Sequence, residues 1–454
     1  MVQLKREFRV LSPTAILGYG FPKESFDRGL EKRPSLIAVD AGSTDPGPYY
    51  LGAGKSFTSR LAVKRDLEYM ISAAVETSVP LIIGTAGGAG AKPHVDWTES
   101  IIREIASERR LTFRMAVIYS DMDKRTVLNA LDEGRISPLF PAPSIGHDDV
   151  EKAVRIVAQM GAEPVMEALK TECQVIVCGR CYDPVPFAAP AMLQGYDLGL
   201  SLHMGKILEC AAIAASPGSG SDCVMGSLYE DHFVIESLNA QRRFTKMSTA
   251  AHSLYEKSDP YELPGPGGCL NLYQTRFEAL DDGRVRVSGT RFIETVPYTV
   301  KLEGVKSVGF RTISISGIRD PSMISQLDAI LDEVKKNVCV DMHHRGRILF
   351  HRYGKNAVMG SLEPKKDTFP HEIGLVIEAV SPTQDEADSL CASVRSALLH
   401  FGYAGRFSTA GNCAFLYSPS DIPCGQVYEF CLYHLMAVHL PASFFPITVH
   451  EVHP

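Results

Sequence analysis

The sequence predicts an α/β protein. A doubly wound, mostly parallel sheet is expected over residues 1–215, a β-rich connecting region over 216–298, and an α+β ferredoxin-like domain (βαββαβ) over 299–454. Three observations lead there. Up to about residue 215, short strands that are apolar throughout alternate with helical patterns, as in a parallel sheet covered on both faces. Gly/Pro-rich loops and short alternating runs follow. The last third then sets two helices among four strands in a split order. At 454 residues the chain is too long for one compact core, so two or three domains are expected.

The first region reads "FRVLSPTAIL", "SLIAVD", "PLIIGTA", "FRMAVIYSD" and "CQVIVCGR" as strands, with helical stretches at 59–77, 94–109 and 148–169. In the second, "SPGSGSD" and "LPGPGG" are loops and "GRVRVSGTRF" is an alternating run. The third runs strand "YTVKLEGVKSVGFRTISISG", helix 321–338, strands "RILFHRYG" and "EIGLVIEAV", helix 383–400 and strand "VYEFCLYHLMAVH".

Composition narrows the partners. With 45% hydrophobic and 22% charged residues the chain reads as an ordinary globular protein. A net charge of -7 without a basic block argues against nucleic acid. No apolar run approaches the ~20 residues of a spanning helix, and the start "MVQLKREFRV" lacks the apolar stretch of a signal peptide. Neither a membrane nor nucleic acid is expected as a partner, and a cytoplasmic location is. The eleven cysteines lie mostly in apolar stretches, where reduced cysteine acts as a small buried hydrophobe. Cys178 and Cys181 form a CxxC without a second pair at zinc spacing.

In an open α/β sheet, ligands bind outside the carboxyl ends of the strands, and here those ends are polar. "LIAVDAGSTD" places Asp40, Ser43, Thr44 and Asp45 at one end; "GTAGGAG" places Thr85, Gly87 and Gly88 at the next, leading into a helix near His94. Bare backbone N–H groups and a helix N-terminus there form an expected anion cradle. Asp121, with Asp123, follows a third strand, and Arg180 and Asp183 follow a fourth. A loop rich in Asp, Gly and Ser also serves simply to turn the chain.

In "LGLSLHMGKILECAAIAA", His203, Lys206 and Cys210 follow i, i+3, i+7 and form one stripe of a helix. Met204, Ile207, Leu208, Ala211 and Ala215 form an apolar stripe, and Glu209 falls off the polar one. A lysine drawn out of water has its pKa lowered and suits a general base; histidine needs less tuning. The structural alternative is a solvated polar face. The following "SPGSGSDC" keeps Ser219 and Ser221 near the cleft. Lys301 with Glu303, and Arg319 with Asp320, read as ion pairs of strands.

Together, "IAVDAGSTDPGPYYLG", "LIIGTAGGAGAKPHVDW", "MGAEP", "HMGKILECAAI", "PGSGSDCVMGSL", "DHFVIESLN", "AAHSLYEKSDPY" and "YTVKLEG" resemble the acyclic terpene utilisation family over nearly the whole chain. The resemblance implies metabolic work on carboxylic acids or their thioesters in terpene breakdown and assigns no catalytic residue.

Three functions are weighed. The first is a lyase or isomerase of hydratase/dehydratase type on a small organic acid or acyl-CoA, with Lys206 or His203 as acid/base, Cys210 and Asp40 beside them, and Arg180 with the 84–90 loop holding an anion. Asp40 and Asp45 orient substrate hydroxyls or a divalent cation. No cofactor is assigned beyond that cation or the CoA carried by the substrate, and a homo-oligomer is expected. The second is an ATP-dependent phosphotransferase, because "VDAGST" looks like the phosphate hairpin of sugar kinases. The third is a non-catalytic partner subunit that docks through its last third.

Overall fold

Five apolar strands hold the centre of the first sheet. In spatial order they are Phe8–Ser12, Leu36–Asp40, Leu81–Gly84, Val175–Cys178 and Phe113–Ile118, all paired in parallel. Successive side chains of a strand point to opposite faces. Ala38 and Ile82 accordingly enter one apolar core, and Val39 and Ile83 the other. The helices Arg60–Thr77 and Lys92–Arg109 supply Leu67 and Ile102 to the second core, while Val185–Leu193 and Leu198–Leu208 supply Phe187 and Met204 to the first. Burial on both faces explains why these strands carry no alternation of polar residues.

The computed structural model describes residues 7–254, 259–280, 282–342 and 345–454; four residues of "AAHSLYEKSDPY", 255–258, lie outside the described residues. The protein is mixed α/β, with twelve α-helices and several sheets among the described residues. It divides into two units, Met1–Lys306 with Phe430–Pro454, and Ser307–Glu429.

The first sheet differs from the mostly parallel one expected. It has ten strands, and its flanks are antiparallel: Val224–Leu228, His232–Ser237, Val285–Ser288 and Arg276–Ala279 extend one side, and Ile447–Val452 pairs with Phe113–Ile118 on the other. Residues 216–298 thus supply strands to the sheet as well as the separate ladder Glu262–Gly265, Gly268–Asn271 and Arg291–Glu294. The boundary at 298 falls inside the first unit. Short alternating runs announce strands without saying which edge they join.

In the second unit, Asp320 caps the helix Pro321–Lys336 by accepting from the Met323 N–H at 2.9 Å. Thr383 and Glu386 form a capping box at Gln384–Leu399, satisfying N–H groups that the helix cannot bond itself. Ile324, Leu327, Leu375 and Leu390 pack into its core. Arg347–Tyr353 and Ile373–Ser381 pair antiparallel, and the latter also pairs with the later part of Thr299–Ile318. No helix among the described residues is long and apolar enough to cross a membrane.

Candidate functional site

The strand Leu36–Asp40 is buried along its whole length and ends in a carboxylic acid. Asp40 is 6% exposed, and its Oδ1 has no hydrogen-bond partner among the described residues. Two glycines bring charge toward it. A Cβ on Gly84 would lie 2.5 Å from Pro186 Cγ and 3.5 Å from Asp40 Oδ1, so only a bare Cα admits residues 181–186 across the strand end. A Cβ on Gly205 would lie 2.5 Å from the Pro184 carbonyl oxygen; its absence lets the helix Leu198–Leu208 press against that segment with Lys206 in its last turn. Asp197 starts this helix by accepting from the Leu200 N–H at 2.8 Å.

Asp183 and Glu209 lie within electrostatic reach of Asp40, and each is paired with a cation in a network of three cations and three carboxylates. Arg180, fully buried, donates through Nε to Glu303 at 2.8 Å and through Nη1 to Asp183 at 2.8 Å and the Cys181 carbonyl at 2.6 Å. Lys301 reaches the other Glu303 oxygen at 2.6 Å. Antiparallel pairing of residues 301–306 with Ala153–Gln159 sets Glu303 opposite Val157. Lys206 forms a buried ion pair with Glu209. The six charges cancel, which leaves Asp40 as the carboxyl without a cation. Burial, then the negative charge of Asp183, raises its pKa well above the usual carboxylate range, so Asp40 stays protonated where ordinary carboxylates have ionised.

The lysine differs from the expectation. Burial pulls its pKa down, but the Glu209 carboxylate outweighs burial and holds the ammonium above its usual range. Lys206 is a fixed positive charge and not a free amine. Glu209, set aside as off the stripe, is its partner: the two are i, i+3 neighbours. Arg180 is likewise already paired, with Glu303 on its Nε and Asp183 on its Nη1. Burial pushes Glu303 up, yet Arg180 and then Lys301 bring it down to about 2.

His203 does not join Lys206. Its ring lies between the Thr290 and Ser253 hydroxyls at 2.7 and 2.9 Å, edge-on to Phe233 and Phe277. Burial, then the neighbouring His252, pushes it down to about 3. Cys210 lies beyond the helix, which ends at Leu208, and burial followed by the Glu209 charge pushes its thiol up. Cys210 and Lys206 lie within electrostatic reach of each other, while His203 bonds to Thr290 and Ser253 instead.

The glycine loop is closed. Residues 84–91 are all buried, and the N–H groups of Ala86, Gly88 and Gly90 bond to the carbonyls of Cys178, Thr85 and Ala86. Gly87 fits against His94, and Gly42 and Gly88 fit under the Phe57 ring. Thr85 supports the cluster, its hydroxyl accepting from the Cys181 N–H at 3.3 Å and from Arg180 at 3.4 Å. The loop packs; it is not a bare N–H cradle. Asp121 accepts from the Lys92 N–H at 2.7 Å, at the start of Lys92–Arg109. Ser43 donates to Asp45 at 2.7 Å on an exposed loop, whereas Thr44 is buried. Ser221 donates to the Tyr19 carbonyl at 3.0 Å, and Ser219 accepts from the Ser221 N–H.

The kinase-type hairpin is absent from this stretch: Leu36–Asp40 pairs in parallel on both sides, and "PYYLGA" begins the helix Pro48–Ala53. Among the described residues, no group of three or more His, Cys, Asp and Glu is arranged to hold a metal ion.

Fold and site together define a mixed α/β protein with a buried acid–base cluster at the strand ends of its central sheet. The model of the acyclic terpene utilisation family protein AtuA matches residues 55–219 and 231–417, most of the chain. The protein belongs to that family, as its sequence resemblance implies. No curated protein and no solved structure matches it. Arg180, Asp183, Lys206, Glu209 and Glu303 fall within the matched residues, and Asp40 precedes them.

Proposed function

We propose that the protein is an enzyme of the lyase or isomerase kind, of hydratase/dehydratase type, acting on an organic acid or its acyl thioester within acyclic terpene utilisation. The single observation that carries this is Asp40: a buried carboxyl with one oxygen unpartnered among the described residues, its pKa raised by burial and by the Asp183 charge. A carboxyl tuned upward by burial is a general acid suited to neutral pH.

In the dehydrating direction Asp40 gives its proton to a hydroxyl that leaves as water. The carboxylate so formed takes the proton from the carbon next to the carbonyl in the same step, the C–H and C–O bonds breaking together, so the residue ends as it began. Negative charge growing on the carbonyl oxygen is stabilised by the Lys206 ammonium, which Glu209 keeps protonated. Arg180, Glu303 and Lys301 position Asp183 and the backbone at 180–183 rather than touching substrate.

The test is turnover of 3-hydroxybutyryl-CoA, crotonyl-CoA and their branched homologues in D2O, read by mass spectrometry of the solvent deuterium at the carbon next to the carbonyl. Asp40→Asn is expected to lose ~10²–10⁴-fold in rate, the usual share of general acid–base catalysis. Equal rates in the variant would remove Asp40 from the mechanism. No turnover by wild type on any acyl-CoA or hydroxy acid would favour a non-catalytic partner subunit.

A further inference from the structure

Within the first unit, a cavity of about 280 Å³ lies beside the charge cluster. Its walls are the apolar side chains of Val185, Met192, Leu198, Leu202 and Phe292. Glu294, Thr295 and Val296 are exposed and form its mouth, while Tyr182, 7% exposed, is among its buried lining residues. The Tyr182 hydroxyl is buried and has no hydrogen-bond partner among the described residues. A buried polar group without a partner costs free energy, so an unpaired hydroxyl on a residue of the cavity wall favours a ligand that brings it an acceptor.

Two further features define that ligand. The charged side chains lining the cavity, Glu163 and Glu294, are both acidic, and among the described residues no cation lines it. Glu163 already accepts the Tyr298 hydroxyl at 2.7 Å. A free carboxylate entering this space would be desolvated opposite like charge. Tyr182, in turn, adjoins the cluster: burial, and then the negative charge of Glu209, keeps its phenol protonated, with Lys206 and Asp183 also within electrostatic reach. A phenol that does not ionise is a standing donor.

We infer that this cavity holds the apolar chain of an uncharged carbonyl compound, an ester, thioester or amide rather than a free acid, and that the Tyr182 hydroxyl donates to the carbonyl oxygen. The inference rests on the proton-transfer reading in one respect: it brings that carbonyl next to the Lys206–Glu209 pair. It goes further in selecting the thioester over the free acid and in making Tyr182 the residue that recognises it.

The test is calorimetric binding of hexanamide, hexanoate and 1-hexene at pH about 8, with no turnover required. Hexanamide is expected to bind wild type at least tenfold more tightly than hexanoate. Tyr182→Phe, which keeps the ring, is expected to weaken hexanamide by about 2- to 10-fold, the loss of one neutral hydrogen bond, and to leave 1-hexene unchanged. Leu202→Trp, which fills the cavity, is expected to weaken all three. Hexanoate binding as tightly as hexanamide, failure of hexanamide to bind wild type, or an unchanged hexanamide affinity in Tyr182→Phe would each overturn the inference. Asp40→Asn separates the two readings. Its turnover tests proton transfer, while its hexanamide affinity is expected to match wild type whichever way turnover falls.

Discussion

Lys206 and Glu209 form an ion pair in which each residue is only 4% exposed, at the end of the helix Leu198–Leu208. Breaking such a pair from one side leaves a buried charge to be accommodated, whereas replacing both members with apolar groups does not. Lys206→Met is expected to lower unfolding free energy by about 3–5 kcal/mol. Lys206→Met/Glu209→Leu should recover most of that stability but not the activity. Urea titrations of the three proteins, with turnover assayed alongside, check both halves.

Asp40 makes stability depend on pH. The unfolded chain ionises an aspartate near pH ~4, but the folded chain keeps Asp40 protonated to a higher pH because of its burial and the Asp183 charge. Between those two values the folded state holds the extra proton, so stability falls as pH rises. Asparagine cannot ionise. The melting temperature of Asp40→Asn relative to wild type should therefore climb as pH rises above the unfolded value; a constant difference would show that Asp40 titrates normally.

His203 carries the opposite sign. Burial holds it down to about 3 in the folded chain, against ~6.5 when unfolded. Its contribution to stability is complete above the unfolded value and is lost as pH falls toward the folded one. His203→Gln, which can still bond Thr290 and Ser253, should flatten the acid limb of the stability curve and keep its turnover. Some slope will remain, because burial also lowers His252 to about 4. A loss of activity equal to that of Asp40→Asn would return His203 to the mechanism.

Gly88 has φ +99°, and a Cβ there would lie 2.6 Å from the Phe57 ring. Gly88→Ala is expected to cost about 1–3 kcal/mol from backbone strain, with more from the clash. Thermal melts of Gly88→Ala and Gly88→Ala/Phe57→Leu separate the two: the double variant should recover only the part due to the ring.

Much of the site was legible in the residues. Apolar strands paired in parallel bring their carboxyl ends to one edge, where Arg180 bonds Thr85 and Asp183 and Asp183 lies within electrostatic reach of both Asp40 and Lys206. The Lys206–Glu209 pairing also had a signal, the i, i+3 spacing, which a wheel drawn past Leu208 obscured. Glu303 and Lys301 were read as a pair of one sheet, because no local pattern could connect them with Arg180, more than a hundred positions earlier. The glycine loop misled for a related reason: the same bare backbone serves an anion cradle and a tightly packed turn, and only the neighbours Phe57, His94 and Arg180 distinguish them.

The sequence by itself determined the family, the alternation of apolar strands with helices, and the acidic and glycine-rich strand ends, all of which depend on local pattern. Tertiary structure alone decided that the edges of the main sheet are antiparallel, that His203 is sealed among aromatic rings, and which carboxylate each cation takes. The physical reason is that burial and charge pairing are sums over neighbours distant in the chain. Burial and the Asp183 charge raise the pKa of Asp40, and both are set by the folded arrangement as a whole.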